Sequence, residues 1–320
     1  MVDKRVIARE RSDRSNLAQI TGLLRLRLAM TASDFSIIVT NIAFFQQSLI
    51  GKNNRMNILF ISDIFGKPGR LAVHDALPAL KEKYAPDIVI ANAENIAGGF
   101  GITENLCTKL LRYGVDIITT GNHIWDRDET ENNLSEQPQV IRPINFPPGN
   151  PGIGSTVFET ERGGKIAIIN AQGRIFMKPL DCPFRVTLEE AERLREQTPI
   201  IFVDFHAEAT SEKKAMGYHL DGKVSAVIGT HTHIQTADET ILPGGTAYIN
   251  DAGMTGPHYS IIGVRPEQAL KFMLTGRRVK FSPAENDVRL QGVFLIIDDD
   301  TGKAEKIERI DMSLKKSKEQ

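Results

Sequence analysis

From residue 56 to residue 312, short apolar runs of strand length alternate with segments whose apolar residues recur at helical spacing. NILFIS (57–62) leads through the turn Gly66-Lys67-Pro68-Gly69 into RLAVHDALPALKEKY (70–84), a predicted helix with Leu71, Leu77 and Leu80 at helical spacing. IVIANA (88–93) is followed by the glycine-rich loop AGGFG (97–101) and a predicted helix near 102–113, and IITTG (117–121) by a polar segment at 123–136. Residues 138–154 hold five prolines and three glycines, which predicts an extended loop across the surface. TVFET and KIAIIN, separated by Glu161-Arg162-Gly163-Gly164, predict a hairpin. VTLEEAERLREQ predicts a helix, and IIFVDF opens the second half. RPEQALKFMLTG predicts another helix, stopped by Gly276, and GVFLIID, the turn DDTG and KAEKIERI a closing hairpin. Such alternation, with hairpins in the middle and at the end, implies an α/β protein of mixed sheets with helices outside, and one domain accounts for 56–312.

The polar residues that end these runs change the picture. NILFIS stops at Asp63, IVIANA at Glu94-Asn95, IITTG at Asn122-His123, IIFVDF at His206 and VSAVIGT at His231-Thr232-His233. A sixth run, TAYI, stops at Asn250-Asp251. Open α/β sheets bind ligands outside the carboxyl ends of their strands, so side chains scattered over about 170 positions are expected to converge on one edge. Five of the six stops carry metal-binding groups, which points to a binuclear metal site.

The first 55 residues read differently. They hold nine Lys/Arg against four Asp/Glu, so the chain's net charge of -1 divides into +5 there and -6 elsewhere. FSIIVTNIAFFQQSLI (35–50) is broken by polar residues, and no run is long and apolar enough to predict a membrane span. Residues 1–55 are expected to be a non-native or disordered extension, and 313–320 a solvated tail. The near-neutral balance gives no basic field for stable nucleic-acid binding. Two cysteines, Cys107 and Cys182, are too few for a disulfide framework and fit a reducing, cytoplasmic setting. Self-association into a homo-oligomer is left open.

Imidazole, carboxylate and carboxamide groups without thiolate suit Fe, Mn or Zn better than Ca or Mg. Two divalent ions supply +4. Asp63 and Glu94 remove two charges and a bridging hydroxide one more, so a phosphodiester monoanion neutralises the remainder. Neutral Asn95 and Asn122 preserve that attraction. Metal binding lowers the pKa of water to about 7, which makes hydroxide available as the nucleophile at neutral pH. His123, one residue past a ligand position, is the best placed general acid for an alkoxide leaving group.

SDIFGKPGR (62–70), NAEN (92–95), GNHIWD (121–126), DFHAEATSEK (204–213), GTHTHIQT (229–236) and NDAGMTGP (250–257) together resemble the YmdB-type phosphodiesterases of the calcineurin-like metallophosphoesterase superfamily. The resemblance spans essentially all of 56–312 and none of 1–55. It implies a four-layer α/β/β/α sandwich and hydrolysis of 2′,3′-cyclic nucleotides to 3′-nucleotides, with 3′,5′-cyclic nucleotides as further substrates. It implies one metal on Asp63, Glu94, Asn95 and His233, a second on Glu94, Asn122, His206 and His231, and His123 as proton donor. Phe65 stands where the commoner superfamily pattern has a histidine, a departure the YmdB-type pattern shares.

Other candidates read more plainly. His74 is expected at the surface or core edge, His219 in a loop, and His258 in a loop where a structural role is favoured over a substrate contact. AGGFG offers backbone N–H groups suited to phosphate, Trp125 serves either base stacking or packing, and Asp251 either supports a histidine or caps a loop. No substrate-binding residue is assigned. The competing functions are a phosphomonoesterase on the same site and a non-catalytic nucleotide sensor, against which His123 argues.

Overall fold

In the parallel strands β1 (Arg55–Ile61), β2 (Ile88–Asn92) and β3 (Ile117–Thr119), alternate side chains enter two different cores. This computed structural model describes residues 54–131, 134 and 137–314; the expectations for residues 1–53 and 315–320 lie outside them. Ile58, Phe60, Ile88, Ile90 and Ile117 point to one side, Leu59, Ile61, Val89 and Ala91 to the other, and all are buried. Burial on both faces explains why these strands read as unbroken apolar runs.

The first sheet continues antiparallel from β1 to β11 (Val288–Asp298), with β12 (Ala304–Ser313) on the far side of β11 and the short β10 (Gly256–Pro257) pairing with β11 beyond the end of β1. The second sheet runs β4 (Ser155–Glu159), β5 (Lys165–Gln172), β6 (Ile201–His206), β7 (Ala226–Thr230), β9 (Ala247–Ile249), β8 (Thr240–Ile241). Its four central strands are parallel, and both edges are antiparallel.

The two sheets share the middle core, where Phe60 meets Phe202 with ring centroids 5.3 Å apart. Helices α1 (Gly66–Tyr84) and α2 (Glu104–Tyr113) cover the outer face of the first sheet. Helices α3 (Pro183–Arg195) and α4 (Thr210–Leu220) cover the second. The result is the α/β/β/α sandwich. Helix α5 (Pro266–Thr275) ends at Gly276 in the left-handed conformation, as its sequence predicts. Among the described residues no helix is long and apolar enough to cross a membrane.

Some local expectations need correction. The Gly-Lys-Pro-Gly turn is the first turn of α1, because Pro68 lacks only an N–H that the first helical turn does not use and Gly69 N already donates to Phe65 O (3.0 Å). The buried stripe of α1 is Ala72, Val73, Ala76, Leu77 and Leu80, while Leu71 is exposed. Residues 138–154 do not simply cross the surface. Ile118 N donates to Gln139 O (2.8 Å), Ile141 N to Ile118 O (2.9 Å) and Ile144 N to Asn170 O (2.8 Å), so the segment pairs with β3 and then with β5. Val140 and Ile141 are fully buried, one in the outer core and one in the middle core. Finally, His219 lies inside α4 rather than in a loop.

Candidate metal centre

Asp63, Glu94, Asn95, Asn122 and His123 follow the carboxyl ends of β1, β2 and β3, while His206 ends β6 and His231 and His233 follow β7. The two sheets meet at these ends. Glu94 Oε1 lies 3.0 Å from His206 Nε2, a contact that crosses from one sheet to the other. His206 Nε2 is also 3.0 Å from Asn122 Oδ1 and 3.0 Å from His231 Nδ1. One ligand atom from each of Glu94, His206 and His231 falls within 4.8 Å of the other two. On the other flank, the Asn95 amide touches Glu94 Oε1 (3.2 Å) and His233 Nε2 (3.2 Å). Asp63 Oδ2 accepts from His231 N at 2.8 Å. All seven expected ligand residues thus gather at one place.

Local backbone geometry makes the approach feasible. A Cβ on Gly121 would lie 2.3 Å from His206 Cδ2 and 2.4 Å from Glu94 Oε2, so only glycine lets those side chains meet. His231 (φ 102°) and His233 (φ 63°) both adopt positive φ, a conformation costly for non-glycine residues and concentrated at functional sites. Asp251 holds the turn between them: Oδ2 accepts from Thr232 N (3.0 Å), Thr232 Oγ1 (2.7 Å) and the buried Lys213 Nζ (2.8 Å). Asp251 therefore caps this turn and supports neither histidine directly.

The donor set fits divalent cations. His233 Nδ1 faces Ile262 O at 2.9 Å, and a carbonyl only accepts, so Nδ1 carries the proton and Nε2 keeps a lone pair for the site. Thr230 Oγ1 donates to Asp204 Oδ1 (2.7 Å) and is left to accept from His206 Nδ1 (3.0 Å), which frees His206 Nε2 in the same way. His231 Nε2 sits 3.1 Å from Glu208 Oε2, leaving its Nδ1 facing the site. Asp63 Oδ1 is buried with no hydrogen-bond partner, an acceptor left for a cation.

Electrostatics agree with that fit. Burial raises the carboxyl of Asp63 well above the usual carboxylate range, with Asp251 and Glu94 adding to the effect. Burial also opposes ionisation of Glu94, but His206 and the His123 N–H outweigh it and hold that carboxyl well below its usual range. Burial works against a charge on His206, yet Glu94, Asp63 and Asp204 push it up to about 9. Burial and then the neighbouring His206 push His231 down to about 3. The buried carboxylates thus create a potential that favours a positive charge, which a divalent ion held by these residues would supply in place of a proton.

His123 stands apart from this cage. Its backbone N donates to Glu94 Oε2 (3.0 Å), its Nδ1 lies 2.7 Å from Asp126 Oδ2, and its ring meets Phe100 edge-on at 5.1 Å. Arg127 ties the Phe100 turn down, donating from Nε to Phe100 O at 3.0 Å and from a terminal nitrogen to Ala97 O. In AGGFG the N–H of Ala97 goes to Gly101 O (3.0 Å) and that of Gly99 to Asn95 O (3.1 Å), so neither is offered to a phosphate. Phe65, in the position where a histidine is commoner, is buried and packs edge-on to His233 at 5.6 Å. Trp125 packs against Phe146 and the outer core. His74 is exposed beside Asp75, and His258 Nε2 faces Met254 O at 3.1 Å. Sequence reasoning passed over Asp126, Asp204, Glu208 and Thr230. A carboxylate inside the apolar run IIFVDF was the available signal for Asp204.

Comparison with known proteins places the chain among close relatives. The profile of the family "YmdB-like protein" matches residues 59–310. The chain is 51% identical over 255 residues to the 2′,3′-cyclic-nucleotide 2′-phosphodiesterase of Bacillus subtilis, covering 80% of this chain and 96% of that protein. It is 39% identical over 266 residues to the putative phosphatase/phosphodiesterase MG246 of Mycoplasma genitalium, covering 80% and 93%. Among solved structures, a hypothetical protein from Thermus thermophilus superposes with a TM-score of 0.76 at 42% identity, over 81% of this chain and all (100%) of that one. A phosphatase from Mycoplasma pneumoniae gives 0.76 at 38% identity, over 81% and 94%.

Proposed function

The chain belongs to the YmdB-like protein family, and from this premise we propose that it is a metal-dependent phosphodiesterase that opens 2′,3′-cyclic nucleotides to 3′-nucleotides. The observation that carries the reading is the convergence of Glu94, His206 and His231 within 4.8 Å, with an orphaned Asp63 oxygen beside them. Asp63, Glu94, Asn95 and His233 would hold one ion, and Glu94, Asn122, His206 and His231 the other. The nitrogen and oxygen donors favour Fe or Mn, with Zn as the alternative. When bound, such ions supply Lewis acidity and a water ionised near neutral pH.

The protein's own groups do the rest. Glu94 Oε1 lies against both flanks, 3.0 Å from His206 Nε2 and 3.2 Å from the Asn95 amide, so this carboxylate stands between the two ligand sets. The rear nitrogens of His206, His231 and His233 are fixed by Thr230, Glu208 and Ile262 O, so the ligating nitrogens need no reorganisation. His123 is oriented through Nδ1 by Asp126, which leaves Nε2 as the nitrogen that would protonate the departing ribose oxygen. A nucleotide sensor would need no such proton donor.

Part of this reading is a cytoplasmic setting, in keeping with a sequence of only two cysteines, and self-association, supported by the exposed Leu270, Met273 and Leu274 on α5. Sedimentation velocity with and without charged substitutions there tests the second point. The decisive experiment loads the full chain with Mn or Fe and separates products from 2′,3′-cAMP, 3′,5′-cAMP and a phosphate monoester. Formation of 3′-AMP from 2′,3′-cAMP is expected. Turnover of the monoester alone would replace this reading with a phosphomonoesterase.

A further inference from the structure

The segment after β5 forms a closed loop that the metal centre leaves unexplained. Its two ends are drawn together by the buried Asn145, whose Nδ2 donates to Gln172 O (2.8 Å) and Asp181 O (3.1 Å) while its Oδ1 accepts from Gln172 N (3.0 Å). Its first half is clamped from α4. The buried carboxylate of Glu212 accepts from Arg174 N (3.1 Å) and from Ile175 N (3.2 Å). Gly173 N donates to His206 O at 2.9 Å, and a Cβ at Gly173 would lie 2.5 Å from both Ala207 Cβ and Glu212 Oε2, so the loop is rooted directly against the strand end that carries His206.

At its tip stands Phe176. It is 88% exposed and has φ 61°, in a turn closed by Met177 N and Arg174 O. Glycine is the usual residue at such a φ, and a bulky side chain there is strained. A benzyl group in solvent gains nothing from burial, so neither backbone preference nor packing accounts for phenylalanine here. The surroundings differ from a protein-docking face, because the tip also carries the exposed Arg174 and Lys178, and beside Phe176 only Ile175 is an exposed large apolar residue there, Met177 being half-buried. A single presented ring matches a small ligand with one flat apolar face.

Position narrows the ligand. Three residues span at most about 10 Å of extended chain, so Phe176 Cα lies within that reach of Gly173, whose N–H meets His206 O at 2.9 Å. We propose that Phe176 is the stacking platform for the nucleobase of the substrate, a specificity-determining residue held in place by Glu212 and Asn145. The proposal rests on the cyclic-nucleotide reading above. Stacking tolerates every base, so the platform selects nucleotides over base-free phosphodiesters and favours purines for their larger face.

The test measures kcat and KM on 2′,3′-cAMP and on the 2′,3′-cyclic phosphate of methyl riboside, which has the same reacting centre and no base. Phe176→Ala is expected to lower the preference for 2′,3′-cAMP, as the ratio of the two kcat/KM values, by about 5- to 100-fold. The change should fall mainly on KM. Phe176→Tyr should restore the preference, and Phe176→Gly should lose it while melting no lower than Phe176→Ala, since it relieves the strained φ. An unaltered ratio in Phe176→Ala, or an equal loss on both substrates, would overturn the role of Phe176. Wild-type protein that cleaves the base-free diester but not 2′,3′-cAMP would overturn the substrate reading itself, and this proposal with it.

Discussion

The proposed ligand cage and the proposed proton donor beside it differ most clearly in the burial of their histidines. His206 is fully buried and His233 nearly so, and their rear nitrogens are fixed by groups from other elements. The His123 side chain is 27% exposed and is oriented by Asp126, three residues along the same turn. Burial strengthens every charge interaction that holds a cation, and it removes the freedom that would misplace a ligand. A proton donor has the contrary requirement. It must reload from solvent after each turnover, so partial exposure serves it. What separates the histidines is their place in the fold: His231, although 21% exposed and backed by a carboxylate like His123, turns its Nδ1 to within 3.0 Å of His206 Nε2, whereas His123 lies outside that cluster.

The sharpest way to break this contrast is to remove the proposed proton donor alone. His123→Ala should lower hydrolysis of 2′,3′-cAMP by about 10²–10⁴-fold. Metal content, read by elemental analysis, should remain at wild-type level. An aryl phosphodiester, whose leaving group departs without protonation, should lose far less. Equal losses on both substrates would mean that His123 positions rather than protonates.

The converse change attacks the cage without touching a ligand. Gly121→Ala places a Cβ where His206 Cδ2 and Glu94 Oε2 already lie, at 2.3 and 2.4 Å. Displacements of about 1 Å cost on the order of 100-fold in rate, and here metal occupancy should fall with activity. Retention of both ions with normal turnover would show that the crevice yields more than its geometry allows.

Much of the cage was legible because its physics is written locally. Strands buried on both faces appear as unbroken apolar runs, and a titratable residue at the end of such a run has no structural reason to be there. The same logic exposed Asp63, Glu94, His206 and the His231–His233 pair. It failed where burial is polar. Helix α4 hid because Glu212 and Lys213 occupy its buried positions, each satisfied by a distant partner that no local pattern reveals. Residues 138–154 misled in the other direction. Their proline and glycine content describes stiffness, while Val140-Ile141 carried the sign that the segment enters the core. Asp126 was passed over because a carboxylate in a polar segment is ordinary until the turn places it 2.7 Å from His123.

A third change sharpens the comparison inside the cage. Thr230 relays between His206 Nδ1 (3.0 Å) and Asp204 Oδ1 (2.7 Å), and it touches no expected ligand atom. Thr230→Val conserves shape and deletes the relay. Loss of such a rear partner should weaken metal affinity by about 10- to 100-fold, read by competition with a chelator. With saturating metal, kcat should largely return. A kcat that stays low at full occupancy would mean that the relay tunes the reaction and not the retention of the ion.

The smallest expected effect comes from the proton donor's own support. If Asp126 acts through His123, as proposed, Asp126→Asn should leave metal affinity where it is and lower kcat on 2′,3′-cAMP less than His123→Ala does, by about 10-fold. An asparagine still accepts a hydrogen bond from Nδ1–H but no longer offsets a charge on the ring, so part of the loss should remain even if the ring keeps its orientation. The two explanations separate on the double variant. If Asp126 works solely by orienting and supporting His123, adding Asp126→Asn to His123→Ala should cost nothing further, whereas independent effects would multiply. A multiplied loss would place Asp126 against the substrate or its metal ions and dissolve the division between cage and donor from which the comparison began.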